Sequence, residues 1–419
     1  MPRRITLSGA LGILALILFL VAWNRGIALL YGMFCLVLAT LAVGYAAPGW
    51  NLRGIAVRRR HAATVKAGES LEIELEVECQ AKFARYMLGV RDAVPCAVPA
   101  DQEPMAFVER IGRQAVQRLA MQVRCDWRGL HTLGPATLES GFPLGFRYPR
   151  ERNPSGKPLG FRKATRLVPA SLTEVLVYPR AFRIGYFPYP TAASMAFADA
   201  IPAAVAGDSV EFLNVREYTR GDSPRFIHWP LSAHRGSLMI RQFEKASHAD
   251  VCLLLNLDRR TVHGRGRESA FEYAVSIAAS IAQHALARGH RVRILGYGQT
   301  PFLVPPGRGP QQARRILEAL AWVQPGDSVS YGTALDRAQA ELGAGALVVT
   351  FENADPRGQS LEPNLHFNPR LSAVRVLLDA RSFDRQSPPE KPATAAFGRD
   401  TVYRLGFGDD LETVFGMRP

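Results

Sequence analysis

The chain has few of the residue patterns that mark common enzymes and metal proteins. It holds 5 cysteines in 419 residues, and no two have the C-x-x-C spacing. This argues against a disulfide framework or a zinc ribbon and favours a reducing compartment. The 9 histidines include no H-E-x-x-H pair. Gly307-Arg-Gly309 lacks the Lys-Ser/Thr with which a phosphate loop holds phosphate and Mg²⁺. No cofactor is expected.

The chain has the composition of ordinary globular protein. Hydrophobic residues make up 47% and charged residues 21%, enough for a core, and the length indicates two or three domains. The net charge of +14 favours anionic neighbours such as lipid headgroups, nucleic acid or an acidic protein. The basic residues are scattered and no recognition motif is present, so nucleic-acid binding is not expected.

Two long uncharged segments stand at the beginning of the chain. Ile5–Trp23 and Ile27–Ala47 are each long enough to cross a hydrocarbon core of about 30 Å as a helix. Only Asn24, Arg25 and Gly26 separate them, which predicts a two-helix transmembrane hairpin over residues 1–50. The alternative, a cleaved signal peptide, is disfavoured because the first segment is long and Asn-Arg-Gly is no small-residue cleavage site.

The flanking charges predict the orientation of this hairpin. The two outer flanks are basic, whereas the connecting turn holds only Arg25; the flanking residues are Arg3, Arg4, Arg53, Arg58, Arg59 and Arg60. The positive-inside rule places both flanks in the cytoplasm. We therefore expect a two-pass protein of the bacterial inner membrane, with both termini and everything from about residue 51 onward in the cytosol.

Residues 51–180 have the pattern of an antiparallel β-sandwich. In Ser70–Gln80, apolar residues alternate with glutamates, which indicates a strand with one buried face. Further short strands separated by turns are predicted at Tyr86–Asp92, Ala106–Glu109, Gln114–Cys125, Gly129–Gly134 and Ala136–Ser140. The basic stretch Arg147–Arg166 is predicted to be a loop, either merely solvated or in contact with anionic lipid.

The segment Glu211–Glu244, within a joining region at 181–245, is dense in opposed charges and aromatics. Gly221-Asp222 predicts a turn, Asp222 or Ser223 a helix cap, and Gly236 a break before a strand at Ser237–Glu244. A partly buried ion-pair network around an aromatic anchor is the favoured interpretation. The alternative is catalysis by Asp222 with His228 or His234.

This segment resembles the bacterial membrane proteins called domain of unknown function 58. The matching positions are Arg216, Glu217, Tyr218, Gly221, Asp222, Arg225, Ile227, Trp229, Ser232, Ala233, Gly236, Leu238, Phe243 and Glu244. His228 stands where the family pattern usually has an acid. The resemblance implies a von Willebrand factor A-like C-terminal part and a partnership with MoxR-type AAA+ ATPases or transglutaminase-like membrane proteins.

Residues 246–419 alternate between strand and helix patterns. Apolar runs are predicted strands at Val251–Leu257, Arg291–Tyr297, Ala346–Phe351, Val374–Leu378 and Thr401–Gly406. Helical spacing appears at Glu268–Arg288, Gln311–Val323 and Ala334–Leu342. The pattern predicts a doubly wound α/β domain, followed by a tail at Leu411–Pro419.

The resemblance also implies where a divalent cation would bind in this domain. Active domains of this kind hold the ion with a D-x-S-x-S run, a distant Thr and a distant Asp, all oxygen donors. Here the corresponding positions are degenerate: Asn256, Asp258, Arg260, Thr333 and Glu352. Because Asn256 is neutral and Arg260 is cationic, tight Mg²⁺ binding is not expected.

The sequence as a whole favours a non-catalytic, membrane-anchored, cytosol-facing adaptor. Its expected partners are membrane lipid and, through the resemblance alone, a MoxR-type AAA+ ATPase or its client. The main alternative is a metal-dependent hydrolase acting through Asp222 or Asp258, which would need a carboxylate cluster around a cation.

Overall fold

The structure, a computed structural model, divides into two units, Met1–Tyr178 and Pro179–Pro419, which are described separately. It describes residues 7–97, 104–143, 164–168, 172–190, 211–219, 224, 227–244, 249–297, 302–326, 329–343, 345–362, 365–389, 393–396 and 401–416.

Two apolar helices open the first unit. Helix α1 spans Leu7–Arg25 and helix α2 spans Ala28–Asn51. Gly26 between them has a φ of 64°, a left-handed conformation that costs glycine little. The rings of Phe19 and Phe34 lie 5.2 Å apart, so the helices contact each other. Among the described residues, α2 is the one helix long and apolar enough to cross a membrane, which gives it the character of a membrane anchor or a signal sequence.

Ten short strands are described after the helices in the first unit. They are β1 (Ile55–His61), β2 (Thr64–Lys66), β3 (Ser70–Cys79), β4 (Arg85–Arg91), β5 (Met105–Ile111), β6 (Val116–Arg124), β7 (Gly129–Leu133), β8 (Ala136–Ser140), β9 (Ala164–Val168) and β10 (Thr173–Tyr178). They form three sheets with the orders β1-β3-β6, β2-β10-β7 and β5-β4-β8-β9. All pairings are antiparallel except that of β2 with β10.

The three sheets enclose one apolar core, an arrangement that agrees with the predicted sandwich. The alternation in β3 is confirmed, since Leu71, Ile73, Leu75 and Val77 are all at most 1% exposed. Leu88 and Leu138 from the four-stranded sheet and Val175 from β10 join the same cluster.

Some of the first unit departs from the sequence prediction. Strands β1, β2 and β10 are additional to the predicted ones. The end of the predicted basic loop, around Arg166, is strand β9, which pairs with β8. The loop prediction is therefore wrong for Ala164–Arg166, while 147–163 lie outside the described residues.

The second unit contains a two-stranded ribbon and a larger sheet. Strands β11 (Glu211–Glu217) and β12 (Met239–Glu244) pair antiparallel. The seven-stranded sheet comprises β13 (Asp250–Leu254), β14 (Arg291–Gly296), β15 (Phe302–Gly307), β16 (Leu347–Ala354), β17 (Ser372–Asp379), β18 (Thr394–Ala396) and β19 (Thr401–Leu405). Its order is β15-β14-β13-β16-β17-β19-β18, with five parallel central strands and an antiparallel strand at each edge.

Six helices are described in this unit. They are α3 (Trp229–Arg235), α4 (Ala270–Ala287), α5 (Gly309–Trp322), α6 (Tyr331–Ala340), α7 (Ala380–Arg385) and α8 (Leu411–Val414). Helix α4 contacts β13, β14 and α5. Helix α6 packs Leu335 and Ala338 against Cys252 and Leu254, which share one face of β13. The three long helices begin and end within a few residues of their predicted bounds.

The end of the chain is not the predicted tail. Leu411–Val414 is helical, and Phe415 is fully buried with its ring 4.4 Å from that of Tyr403. The backbone N–H groups of Gly185 and Tyr186 both donate to the carbonyl oxygen of Phe415. This segment is therefore part of the core of the second unit.

Candidate functional site

The degenerate metal positions lie at the carboxyl edge of the seven-stranded sheet. Asn256 and Asp258 follow β13, and Glu352 belongs to the end of β16. Strands β13 and β16 are parallel neighbours, so their carboxyl ends meet at the same edge. Ligands of open α/β sheets bind at such edges.

The residues at this edge fall into two groups. The first group is the tight turn after β13, which Asp258 closes. The Asn256 side-chain oxygen accepts a hydrogen bond from the Asp258 backbone N–H at 3.0 Å. The Asp258 carboxylate accepts from the Arg260 backbone N–H, Nε and Nη2 at 2.9, 3.1 and 3.0 Å. These Arg260 hydrogen bonds hold the pKa of Asp258 below its usual range. The position where the resemblance implies a coordinating hydroxyl therefore carries a cation that neutralises the neighbouring carboxylate.

The second group is a buried ion pair between neighbouring strands. Glu352 on β16 is fully buried, and its Oε1 accepts from Arg375 Nε on β17 at 3.0 Å. A second Arg375 nitrogen donates to the other carboxylate oxygen. The Thr350 hydroxyl also donates to Glu352, at 2.7 Å. Both carboxylate oxygens are thus engaged by the protein's own donors.

Glu362 lies at the same edge and was not predicted from the sequence. Its Oε1 accepts from Asn256 Nδ2 at 2.8 Å and from Asn353 Nδ2 at 3.4 Å. Burial raises the pKa of Glu362, with the Glu352 and Asp258 charges acting in the same direction. Nothing in the local sequence marks it. A turn at Asp355, whose side chain accepts from the backbone of Arg357 and Gln359, returns the chain toward Asn353.

Thr333 occupies the first turn of α6, which faces the ends of β13 and β16. The Tyr331 hydroxyl donates to the Leu254 carbonyl oxygen at 2.7 Å and accepts from the Phe351 N–H at 3.0 Å. Tyr331 is buried, and this burial raises its pKa well above the usual range. The Thr333 hydroxyl lies 2.8 Å from that of Ser330, the residue that caps the helix.

The edge therefore brings together three carboxylates, each with a partner. Asp258 has Arg260, Glu352 has Arg375, and Glu362 has two amides. Within the part of the chain that the structure describes, no three His, Cys, Asp or Glu side chains form a group suited to a metal ion. The expectation of weak Mg²⁺ binding remains a prediction.

The family-signature residues lie on and beside the β11–β12 ribbon. Arg216 and Glu217 are in β11 and Glu244 is in β12, while half-buried Tyr218 follows β11 and donates its N–H to the Leu238 carbonyl oxygen at 2.7 Å. The predicted stop is confirmed, because Gly236 ends α3 with a φ of 67°.

Helix α3 begins at Trp229, whereas the predicted cap positions Asp222 and Ser223 lie outside the described residues. His228 caps it, with Nδ1 accepting from the Leu231 N–H at 3.2 Å, and Pro230 lies in the first turn. The buried Ser232 hydroxyl accepts from the Met239 N–H at 2.8 Å and joins the helix to β12. Trp229, one of the aromatic residues of this segment, is 64% exposed.

Three signature residues, Gly221, Asp222 and Arg225, lie outside the described residues. Both the capping and the catalytic interpretation of Asp222 therefore stay predictions. Of the two suggested catalytic partners, His228 is engaged as a helix cap, and His234 lies in the last turn of α3.

Comparison with known proteins supports the resemblance for one part of the chain. A family described as "Protein of unknown function DUF58" matches residues 214–352, which include most of β11, all of β12 and all five degenerate metal positions. The "Uncharacterized protein YeaD" of Bacillus subtilis (strain 168) is 31% identical over 108 residues, 26% of this chain and 25% of that protein. The chain thus spans about a quarter of the length of the curated relative it matches.

Solved structures give only remote similarity. The CARDB domain of the PF1109 protein from Pyrococcus furiosus, in complex with di-metal ions, is 12% identical, with a TM-score of 0.20, 29% of this chain and 91% of that chain covered. The Pseudomonas fluorescens alkylpurine DNA glycosylase AlkC bound to DNA is 11% identical, with a TM-score of 0.15, 33% of this chain and 39% of that chain covered. Similarity at this level carries no argument about fold or ligand.

Proposed function

We propose that the protein is a membrane-anchored, cytosol-facing adaptor whose second unit docks a protein partner without a metal ion. The anchor is the α1–α2 pair, acting as a two-pass hairpin. Asn51, the last residue of α2, supports a retained anchor over a cleaved signal. Its fully buried side chain donates to the Tyr86 carbonyl oxygen at 2.6 Å and to the Ser140 hydroxyl at 2.8 Å. Cleavage that removed Asn51 would leave these buried groups without partners.

The docking unit is a doubly wound, von Willebrand A-like domain in this proposal. Numbered in chain order from β13, the strands β15, β14, β13, β16 and β17 have the order 3-2-1-4-5, with the antiparallel β15 at the edge. This order, together with the helices packed on the sheet, supports the proposal. The single observation that carries the adaptor function is the closure of the carboxyl edge. Each carboxylate that a cation would use is held by Arg260, Arg375 or an amide of the chain itself. The same edge then offers a polar surface for direct contacts.

The proposed partner is a MoxR-type AAA+ ATPase or its client, and the second proposed partner is a transglutaminase-like membrane protein. Both come from the family resemblance. The exposed Arg260 side chain, 78% accessible, is the part of the edge best placed to contact such a partner.

Affinity capture tests this proposal. The full chain, tagged and extracted in mild detergent, is used as bait, with and without a chelator. We expect an AAA+ ATPase to be retained in both conditions and to be lost with Arg260→Glu. The matched control is Arg315→Glu, an identical charge change on the exposed side of α5. Absence of an ATPase, or loss only with the chelator, contradicts the proposal.

A hydrolase acting through Asp222 or Asp258 makes the opposite prediction. The purified chain would hydrolyse phosphate or peptide ester substrates only with Mg²⁺ or Mn²⁺, and Asp222→Asn or Asp258→Asn would abolish the activity. The engagement of Asp258 by Arg260 disfavours this function. Metal-dependent turnover that either variant removes would overturn the adaptor proposal.

A further inference from the structure

Arg85 at the start of β4 is a buried cation with no anionic partner among the residues that the structure describes. It is 4% exposed, and its Nε and Nη1 atoms have no hydrogen-bond partner among the described residues. Its Nη2 donates only to the Arg53 carbonyl oxygen, at 3.2 Å. A buried charge left unpaired is costly, so a structure that retains one calls for a counter-ion.

The place of Arg85 in the fold indicates the source of that counter-ion. Its guanidinium carbon lies 4.0 Å above the ring of Trp50, in the last turn of α2. The Arg166 guanidinium donates to the Leu52 carbonyl oxygen at 3.2 Å, just beyond the same helix. Two arginines therefore converge on the end of the apolar helix, where the helix dipole is negative.

The surroundings of Arg85 are basic. Arg53, Lys82 and Arg166 are exposed, and with Arg85 they make four cations around the end of α2. None of the four forms an ion pair with a described residue. This contrasts with the nearby strands, where Arg58, Arg60 and Arg118 each pair with a glutamate of β3. The four cations thus attract an anion from outside the chain.

The same place exposes aromatic rings. Phe83 is 64% exposed and Trp50 44% exposed, with their centroids 6.3 Å apart. Tyr86, the residue after Arg85 in β4, is 37% exposed. Exposed aromatics beside cations at the end of an apolar helix are the composition of a membrane–water interface.

We propose that Arg53, Lys82, Arg85 and Arg166 bind the phosphate of an anionic phospholipid. The rings of Trp50 and Phe83 then lie at the boundary between the lipid headgroup and the acyl chains. This headgroup site rests on the membrane anchoring proposed above. The exposed Arg53 and Lys82 contact the phosphate first. The partly exposed Trp50 ring then moves aside, and the Arg85 guanidinium donates hydrogen bonds to the phosphate.

Native mass spectrometry of the full chain in a neutral detergent tests the site. The protein is mixed with equal amounts of phosphatidylglycerol and phosphatidylcholine, and the lipid retained on the protein is counted. We expect preferential retention of phosphatidylglycerol. Arg53→Gln combined with Lys82→Gln should reduce it at least about fivefold, since each cation near an anionic surface strengthens binding several-fold. Both positions are exposed, so the double variant should fold.

Three comparisons make the result decisive. Arg308→Gln with Arg315→Gln removes two exposed cations from the second unit and should leave retention unchanged. Arg85→Lys, if its thermal transition is normal, should also weaken retention, because lysine cannot form the planar fork. Millimolar inorganic phosphate should not displace the lipid.

Equal retention of both lipids, equal loss in the control variant, or displacement by phosphate would each overturn the headgroup site. These outcomes are independent of ATPase capture. Membrane anchoring is measured separately by alkaline carbonate extraction, so its failure is distinguishable from failure of the lipid site.

Discussion

The two units of the chain use arginine–carboxylate pairs in different ways. In the first unit, Arg59 and Asp92 pair with both side chains fully buried. In the second unit, the Glu352 side chain is fully buried but its partner Arg375 is 26% exposed, and the Arg260 partner of Asp258 is 78% exposed. The first pair lies inside the core, whereas the other two lie at an edge where partners or ligands bind. The comparison separates charges that hold a fold together from charges that face outward.

Arg59 connects all three sheets of the first unit. It leaves β1 to bond Asp92 after β4, and it donates to the Leu133 carbonyl oxygen and the Thr173 hydroxyl at 3.0 Å each. Leu133 and Thr173 belong to β7 and β10 of the β2-β10-β7 sheet. Every part of the guanidinium is therefore engaged, which is the condition under which a buried ion pair is tolerated.

The largest expected effect comes from breaking this internal pair. Asp92→Ala leaves the Arg59 charge buried without a counter-ion and should destabilise the first unit by about 3–5 kcal/mol. Hydrogen–deuterium exchange of the full chain should show faster exchange in β1, β4 and β10. The control is Glu78→Ala, which breaks an exposed pair with Arg58 at 4.0 Å and should cost under about 1 kcal/mol. Equal effects of the two variants would contradict the comparison.

Breaking the Glu352–Arg375 pair should destabilise the protein less, because the Arg375 side chain can reach water. Glu352→Gln removes the charge that faces Arg375, but the partly exposed guanidinium can rehydrate, so we expect a loss of about 1–3 kcal/mol. Exchange should increase in β16 and β17 and remain unchanged in the first unit. Glu352→Gln combined with Arg375→Met should recover part of the loss, since no charge is then left unpaired. A loss as large as that of Asp92→Ala would mean that this pair is also internal to the fold.

The sequence predicts the elements of both units better than it predicts these pairs. Periodicity identified β3 and the three long helices because burial repeats every second or every third to fourth residue. The Arg58-Arg59-Arg60 run was counted only as flanking charge. Because side chains alternate along β1, Arg58 and Arg60 are exposed and Arg59 is buried. Its partner Asp92 is distant in sequence, and no local pattern connects them.

The same limit applies at the carboxyl edge. The positions Asn256, Asp258 and Glu352 came from the family resemblance, which aligned them with the metal-binding positions of such domains. Arg375 and Glu362 were missed, because a pairing across β16 and β17 and a returning loop are long-range contacts. The tail was wrongly predicted because it also depends on a long-range contact. Phe415 is buried against Tyr403, and a short apolar segment does not by itself predict such packing.

Glu362 gives a pH-dependent prediction of intermediate size. Its pKa is raised from 4.5 by burial, so the folded state favours the protonated form. The stability from this group is present below pH 4.5 and is lost as pH rises through the folded-state pKa. Glu362→Gln keeps an oxygen that accepts from the amides and should flatten the stability profile of the second unit over that window. Glu412→Gln, at an exposed position, should leave the profile unchanged. An unaltered slope in Glu362→Gln would show that the carboxyl is not desolvated.

The smallest expected effect belongs to the outermost pair. Asp258→Ala should cost the second unit under about 1 kcal/mol, because Arg260 is mostly solvated. The pKa of Asp258 is lowered from 3.8, so its contribution is present above pH 3.8 and is lost as pH falls through the folded-state pKa. The loss should therefore appear at neutral pH and vanish in acid.

Calorimetric titration of the same full-length proteins with Mg²⁺ separates this structural role from a metal site. We expect no micromolar binding in the native chain, since a guanidinium about 4 Å from a divalent ion opposes binding by roughly 8 kcal/mol at an effective dielectric near 20. Micromolar binding that disappears in Asp258→Ala would show that Arg260 moves away and that this edge is a cation site after all.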